Sequence, residues 1–297
     1  MIPTPGPHGG DGARVAQALG VDPASILDLS LSLNPLAPDV GELLAKHVDA
    51  ARRYPDPALA EAALAAALDV AADRVLLTNG GAEAIALVAD LLGGRPRAEP
   101  DFGLYPRQRT GPVWRSNPHN PSGRLAAASA HADVWDEAFY PLATGRWTRG
   151  DADHGSVVVG SLTKVFACPG LRVGYVLADE DTIAELRPRQ PEWSVNGIAV
   201  AALPGLLATA DLARWSEEIA VFRARLVELL RAHGYSPLPS DANYVLVPGA
   251  GALRDRLARE LVVVRGCASF GLPDHVRIAA PNSAGLMRLE EALCRAG

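Results

Sequence analysis

Lysine is almost missing from this chain. It occurs twice, as Lys46 and Lys164, against 26 arginines. Cysteine is scarce too: Cys168, Cys267 and Cys294 are odd in number, scattered and without a CxxC pair. That pattern argues against a disulfide framework or a zinc site and fits a reducing cytoplasm. Positive charge is not in excess. The net charge is −6 and the pI is near 5.7, which leaves no basic field for nucleic acid or an anionic membrane. No apolar run is long enough to span a bilayer. The first residues, "MIPTPGPHGGDGARV", lack the apolar core of a secretion signal. A cytoplasmic location is the expectation.

What is present is an ordinary globular composition, 48% hydrophobic and 21% charged over 297 residues. That suits one large domain, or a large and a small one. "RVLLTN" (74–79) reads as a strand, and "GGAEAIALVADLLGG" (80–94) as a helix ending in glycine. "VWRSN" (113–117), "HADVWDEAF" (131–139), "GSVVVGSLT" (155–163) and "RVGYVLA" (172–178) read as further strands. The alternation predicts an α/β fold, a mainly parallel sheet flanked by helices. Past residue 180 come two long helical stretches, about 193–210 and 211–233. The strands "NYVLVP" (243–248), "LVVVRG" (261–266) and "HVRIAA" (275–280) and a last helix at 283–296 follow. They predict a smaller α+β domain at 208–297, a large domain at 35–207, and a segment 1–34 that packs with the small one.

The stretch "GSLTKVFACPGLRVGY" (160–175) explains why a lysine is kept. Arginine is always charged, whereas a buried lysine can lose its proton and act as a nucleophile. Pro169 and Gly170 break any helix, so Lys164 and Arg172 can converge on one pocket, with the hydroxyls of Ser161 and Thr163 beside them. An amine, two hydroxyls and an arginine suit a ligand that carries a carbonyl and a phosphate. Pyridoxal phosphate is such a ligand: lysine forms the Schiff base and arginine grips the phosphate.

"SLTKxxxxPGLRxGY" resembles the fold-type I pyridoxal-phosphate enzymes of aminotransferase class I/II. Among them it is similar to the histidinol-phosphate aminotransferases and to the threonine-phosphate decarboxylases of cobalamin synthesis. Further motifs follow in the order of that family. "TNGGAEAI" (78–85) is strand, glycine turn and helix, and backbone N–H groups of Gly81 and Ala82 at a helix start can hold a phosphate. The resemblance puts the cofactor phosphate there. "PDFGLY" (100–105) resembles the segment that stacks on the pyridine ring, with Phe102 the first choice and Tyr105 the second. "SNPHNPSG" (116–123) matches NPxNPxG, which implies that Asn120 bonds the phenolic oxygen. Asp136 in "DVWDEAF" is implied to face the pyridine nitrogen and keep it protonated. "YPDP" (54–57) resembles the segment whose tyrosine, here Tyr54, reaches the phosphate of a neighbouring subunit, so a homodimer with shared sites is implied.

The substrate side rests on the same resemblance. Arg277 in "HVRIA" stands where the family holds an α-carboxylate, and Arg265 in "VVVRGCASF" where it meets a substrate phosphate. "HGGD" (8–11) and "LSLNPLAP" (31–38) resemble N-terminal segments of the decarboxylases, which makes His8 and Asn34 candidates to line the pocket. Asn243 in "SDANYVLV" reads as structural. Two departures stand out. The chain between "PDFGLYPRQRTG" and "PVWRSNP" is short by roughly one βα unit, so an edge of the sheet is expected to be trimmed. The family's "DEAY" tyrosine is Phe139 here. The expected enzyme acts on a phosphorylated amino acid or amine. It either releases carbon dioxide from a threonine-phosphate-like substrate or transfers an amino group to 2-oxoglutarate. A cofactor-binding but non-catalytic paralogue is the third reading.

Overall fold

The computed structural model describes residues 1–296 and divides into two compact units. The larger contains Ala37–Asn117 and Ala126–Ser216. The smaller contains Met1–Leu36, Pro118–Leu125 and the chain from Glu217 onward. The strands in chain order are β1 (Leu27–Asp28), β2 (Val75–Asn79), β3 (Arg95–Pro96), β4 (Val113–Ser116), β5 (Val134–Asp136), β6 (Val157–Gly160), β7 (Val173–Leu177), β8 (Tyr244–Val247), β9 (Val262–Val263), β10 (Arg265–Gly266) and β11 (Val276–Ala279).

The larger unit is built on a six-stranded sheet in the order β2-β7-β6-β5-β4-β3. β3 to β6 run parallel, while β7 is antiparallel to both its neighbours. The central strands are short β-branched runs, and β5, β6 and β7 are buried along their whole length. That is the pattern of a sheet covered on both faces. The helix Gly80–Leu92 lies against it. Ala84, Ile85 and Val88 pack with Leu76, Trp114, Val134, Val159 and Val176 in one core.

Both edges of this sheet are closed by side chains or by chemistry. At β2 the outward groups of alternate residues are all bonded. Arg187 donates to the Val75 carbonyl, Glu61 accepts from Leu77 N–H at 3.0 Å, Gln190 donates to the Leu77 carbonyl and Glu83 accepts from Asn79 N–H. At the other edge Arg95 and Arg97 donate their N–H groups to Pro112 and Trp114. Pro96 therefore faces outward and offers no donor to a further strand. β3 has only two residues, and residues 97–112 contain no helix or strand. The trimmed edge expected from the sequence is this one.

The smaller unit carries the antiparallel sheet β10-β11-β8 and the parallel pair β1-β9. Its core joins Val245, Val247, Val276 and Ile278 to Leu226 and Leu230 of the helix Leu212–Ala232 and to Leu286, Leu289 and Leu293 of the helix Ser283–Ala296. The run "LVVVRG", read as one strand, is two. β9 pairs with β1 and β10 pairs with β11, with the break at Val264. Among the described residues no single helix is long and apolar enough to cross a membrane.

Glu61 is the clearest test of how the β2 edge is held. It is buried, accepts from Leu77 N–H and also binds Arg187 at 3.2 Å. Glu61→Ala leaves a buried N–H without an acceptor and Arg187 without its carboxylate. The expected loss is about 2–3 kcal/mol, read as a lower urea midpoint. A loss near zero would show that solvent replaces the carboxylate at this edge.

Candidate active site

The parallel strands of the larger unit end on one side, and the candidate residues follow those ends. Asp136 is the last residue of β5, Ser161 follows β6, and Gly80 begins a helix directly after β2. Lys164 lies in the one-turn helix Leu162–Val165, with its Nζ 5.8 Å from the centre of the Phe139 ring.

Asp136 is buried and gripped from two sides. Tyr105 Oη donates to its Oδ2 at 2.7 Å, and the Ala138 N–H donates to its Oδ1 at 2.9 Å. Burial pushes its carboxyl up to about 6, and the nearby Asp101 carboxylate adds to the rise. The two hydrogen bonds and the Lys164 ammonium work the other way. Tyr105 was the second choice for stacking on a pyridine ring. The structure gives its hydroxyl to Asp136 instead, with its ring edge-on to Phe102 at 5.8 Å between centres. Next to Asp136, Glu137 is completely buried. It accepts from the Arg149 N–H, and burial pushes its carboxyl up to about 7, opposed by the Thr148 hydroxyl.

A cationic cup lies at the start of the helix Gly80–Leu92. No side chain caps that helix through Asn79, so the first-turn N–H groups of Gly81 and Ala82 are available to an anion. Arg172 packs on this turn. A Cβ built on Gly80 would stand 2.4 Å from its Nη2, and Gly80 has φ +75°, so only glycine admits the guanidinium here. Arg172 forms no ion pair with a carboxylate among the described residues, and its one hydrogen bond is a long contact to the Pro169 carbonyl. Its own backbone is in the left-handed region, φ +57°, where a non-glycine residue is uncommon. The Ser161 side chain borders the same turn, with its Oγ 3.9 Å from a Cβ built on Gly81. Thr163 departs from expectation. Its hydroxyl is buried and exchanges hydrogen bonds with the backbone of Val173, so it ties the lysine helix to β7. Tyr54 is 77% exposed and stacks on Trp193 at 4.3 Å.

The smaller unit brings the substrate candidates together. Arg277 is buried, lies over the Tyr244 ring and donates to Asn120 Oδ1 at 2.7 Å. Arg265 is buried over the Phe270 ring and donates from Nη2 to the Pro7 carbonyl at 3.0 Å, while its Nε has no partner. Burial, and after it the Arg277 charge, lower Arg265 to about 9. His8 is drawn below its usual value by burial and then by Arg265. Its loop is not a loose tail. Gly6 N–H binds Asp11, Gly10 N–H binds Ser30, and Gly12 N–H binds Asp28. Asn34 is buried and its Oδ1 accepts from Leu36 N–H. Asn243 donates to the carbonyls of Ser32 and Leu33, which fixes the segment that carries Asn34.

The sequence model of the family "Aminotransferase class I and II" matches residues 105–293. The chain belongs to this family. Threonine-phosphate decarboxylase of Salmonella typhimurium is 32% identical over 96% of this chain and 95% of that protein. Histidinol-phosphate aminotransferase 1 of Dechloromonas aromatica is 26% identical over 95% of this chain and 93% of that protein. The histidinol-phosphate aminotransferase of Sinorhizobium meliloti, solved in complex with pyridoxal-5'-phosphate, shares the fold with a TM-score of 0.80 at 18% identity. It matches 96% of this chain and 94% of that one.

Class I/II aminotransferases depend on pyridoxal phosphate, and the donor set here fits it. A guanidinium without a carboxylate partner, an uncapped helix start and a serine hydroxyl suit a phosphate, and a lysine and a buried carboxylate stand in the same unit. The alignment with the decarboxylase runs over 353 positions, more than the 297 residues of this chain, so the missing length is real. Sequence reasoning missed Asp101 and Ser116. Ser116 Oγ donates to Asp101 Oδ1, both are buried, and only the unusual acid in "PDFGLY" hinted at them.

Glu137 carries a pH dependence of stability. Its folded value is raised from 4.5 to about 7, so the folded state holds a proton that the unfolded state releases. Its contribution is complete below pH 4.5 and is lost as pH rises to 7, on the order of a few kcal/mol. Glu137→Gln removes this part of the profile. The fall in urea midpoint between pH 5 and pH 7.5 should be smaller in the variant than in the parent protein. Equal falls would place the Glu137 carboxylate in contact with solvent.

Proposed function

We propose that this chain is a pyridoxal-phosphate-dependent lyase that releases carbon dioxide from a phosphorylated amino acid of the threonine-phosphate type. The observation that carries the reading is the pair of buried arginines in the smaller unit. Arg277 and Arg265 make two anion sites, and the second still has an unpartnered Nε and His8 beside it. Two such sites suit one substrate bearing both a carboxylate and a phosphate. Histidinol phosphate bears only the phosphate, while glutamate and 2-oxoglutarate bear two carboxylates, so the arginines alone also admit the transaminase and the likeness to relatives must weigh between the two. The full-length likeness to a threonine-phosphate decarboxylase favours the lyase.

When bound, the cofactor supplies an aldehyde for the lysine amine and a cationic ring that takes up the electron pair left at Cα. The chain's own residues do the rest. Ser161, Arg172 and the N–H groups of Gly81 and Ala82 hold the phosphate. Asp136 holds the ring nitrogen's proton, and Phe102 covers the ring. Asn120, with Oδ1 taken by Arg277, would present its amide N–H to the phenolic oxygen. Lys164 would offer its amine to that aldehyde and would take up or return the proton at Cα. Arg265, His8 and Asn34 grip the substrate phosphate, and Arg277 the carboxylate. The placement of these two anions decides which Cα bond is presented for cleavage. Tyr54 would complete the phosphate site of a neighbouring copy in a homodimer, which accords with its exposure.

Lys164→Ala should abolish turnover and leave the fold intact, since Thr163 ties the lysine helix to Val173 of β7. The parent protein should release carbon dioxide from threonine phosphate and form no glutamate from histidinol phosphate plus 2-oxoglutarate. Glutamate without carbon dioxide would replace the lyase by a transaminase. Neither product, with cofactor bound, would favour a non-catalytic paralogue.

A further inference from the structure

Behind Asp136 the structure holds a second buried carboxylate, Asp101, for which the proposed chemistry has no use. Asp101 Oδ1 accepts from the Phe102 N–H at 2.8 Å and from Ser116 Oγ. The Tyr105 hydroxyl lies beside Ser116 and donates to Asp136. Ser116 spends its one hydroxyl hydrogen on Asp101 and Tyr105 spends its own on Asp136, so the four side chains form two buried hydrogen-bonded pairs side by side, each with a carboxylate as acceptor. Two carboxylates in one dry space repel each other, and the arrangement persists only if something cationic repays it. Arg115 is the cation that feels Asp101, and its guanidinium lies over Trp135. Lys164 is the cation that feels Asp136. Tyr175 on β7 also feels Asp136 and brings no positive charge.

We propose that Asp101 is a positioning residue for the cofactor ring: by accepting the Ser116 hydrogen it leaves the Tyr105 hydrogen to Asp136, and it adds a second negative charge that favours a protonated ring nitrogen. The proposal rests on Asp136 as the ring-nitrogen partner. When a cationic ring is bound, it neutralises one of the two charges, and loss of its proton would restore the repulsion. Before binding, burial above all, with a smaller share from Asp101, makes Asp136 keep its own proton up to about pH 6, and this proton must leave when the ring binds.

The two effects have opposite pH dependence, which separates positioning from plain structure. At pH 8 Asp136 is ionised in either protein, and Asp101→Asn should weaken pyridoxal phosphate binding about fivefold to tenfold. At pH 5 the parent protein must expel a proton from Asp136. The variant, with that group lower, needs to do so less. The ratio of dissociation constants, variant to parent, should therefore fall, by about twofold, between pH 8 and pH 5. Dissociation constants are measured by equilibrium dialysis of the full chain against pyridoxal phosphate. A ratio that is the same at both pH values would overturn the proposal and leave Asp101 a structural residue. Asp101→Ser also removes the charge and should shift the ratio in the same sense, which keeps the test available if Asp101→Asn does not fold; Tyr105→Phe removes a hydrogen bond that lowers Asp136 and should shift the ratio the opposite way. Absence of cofactor binding by the parent protein at any pH would remove the reading of the site as well. Binding that Asp136→Asn leaves unchanged would remove the ring-nitrogen contact and, with it, this proposal.

Discussion

The close approach of three backbone segments at Gly174 governs everything built on the larger unit. A Cβ on Gly174 would meet the carbonyl carbon of Gly80 and the nitrogen of Gly81 at 2.5 Å, and the Gly160 carbonyl at 2.9 Å. Neither backbone can yield, because β7 is laddered to β2 on one side and to β6 on the other. Only glycine lets the start of the helix, the end of β6 and β7 touch. That contact brings the helix N–H groups, Ser161 and Arg172 to one place and leaves Lys164 one turn away. Fold and chemistry meet in the same atoms, as expected where ligand sites sit at the ends of parallel strands.

Electrostatics in the two units follow opposite rules. The larger unit buries carboxylates: Asp101, Asp136 and Glu137 lie inside with few cations to answer them. The smaller unit buries guanidiniums: Arg254, Arg265 and Arg277, of which Arg265 and Arg277 are pulled down by desolvation. Each set is costly alone and affordable when a ligand of the other sign arrives. Stored imbalance of this kind is what a binding site looks like before its ligand. It also explains the use of lysine. Arginine serves wherever a permanent charge is wanted, and the amine at 164 stands where a proton must come and go.

Much of this was readable from the amino-acid sequence, for specific reasons. The buried strands are β-branched and bounded by glycine, so β2, β4 and β7 could be placed almost to the residue, while the strand read over 155–163 is only Val157–Gly160 because the lysine helix begins at Leu162. The NPxNPxG and SLTK segments are recognisable because turns and short helices of fixed geometry need those residues. Pairing choices left no such mark. "LVVVRG" looks continuous, and only its change of partner from β1 to β11 breaks it. Hydroxyl direction is likewise invisible. Thr163 and Ser161 are equivalent on paper, yet one turns to Val173 and the other borders the helix start. Tyr105 was legible as an aromatic and not as a donor, because its partner Asp136 is 31 residues away.

The missing length raises the question of how a sheet can lose material and keep its site. The strand order answers it. Ser116, Asp136 and Ser161 end or follow β4, β5 and β6, Arg172 precedes β7, and Gly81 follows β2. The shortened strand, β3, is the one at the far edge, and what it must deliver is the loop carrying Asp101, Phe102 and Tyr105. That loop is tied inward by its own bonds, Asp101 to Ser116 and Tyr105 to Asp136, rather than by the ladder. A sheet is cooperative across its width only through nearest neighbours, so material removed beyond β3 disturbs β3 and little else. The remaining hazard is a new open edge. Pro96, facing outward between two arginines, removes the one donor that another strand would need. The bonds from Asp101 to Ser116 and from Tyr105 to Asp136 therefore anchor the loop that β3, with its two residues, supports little by pairing.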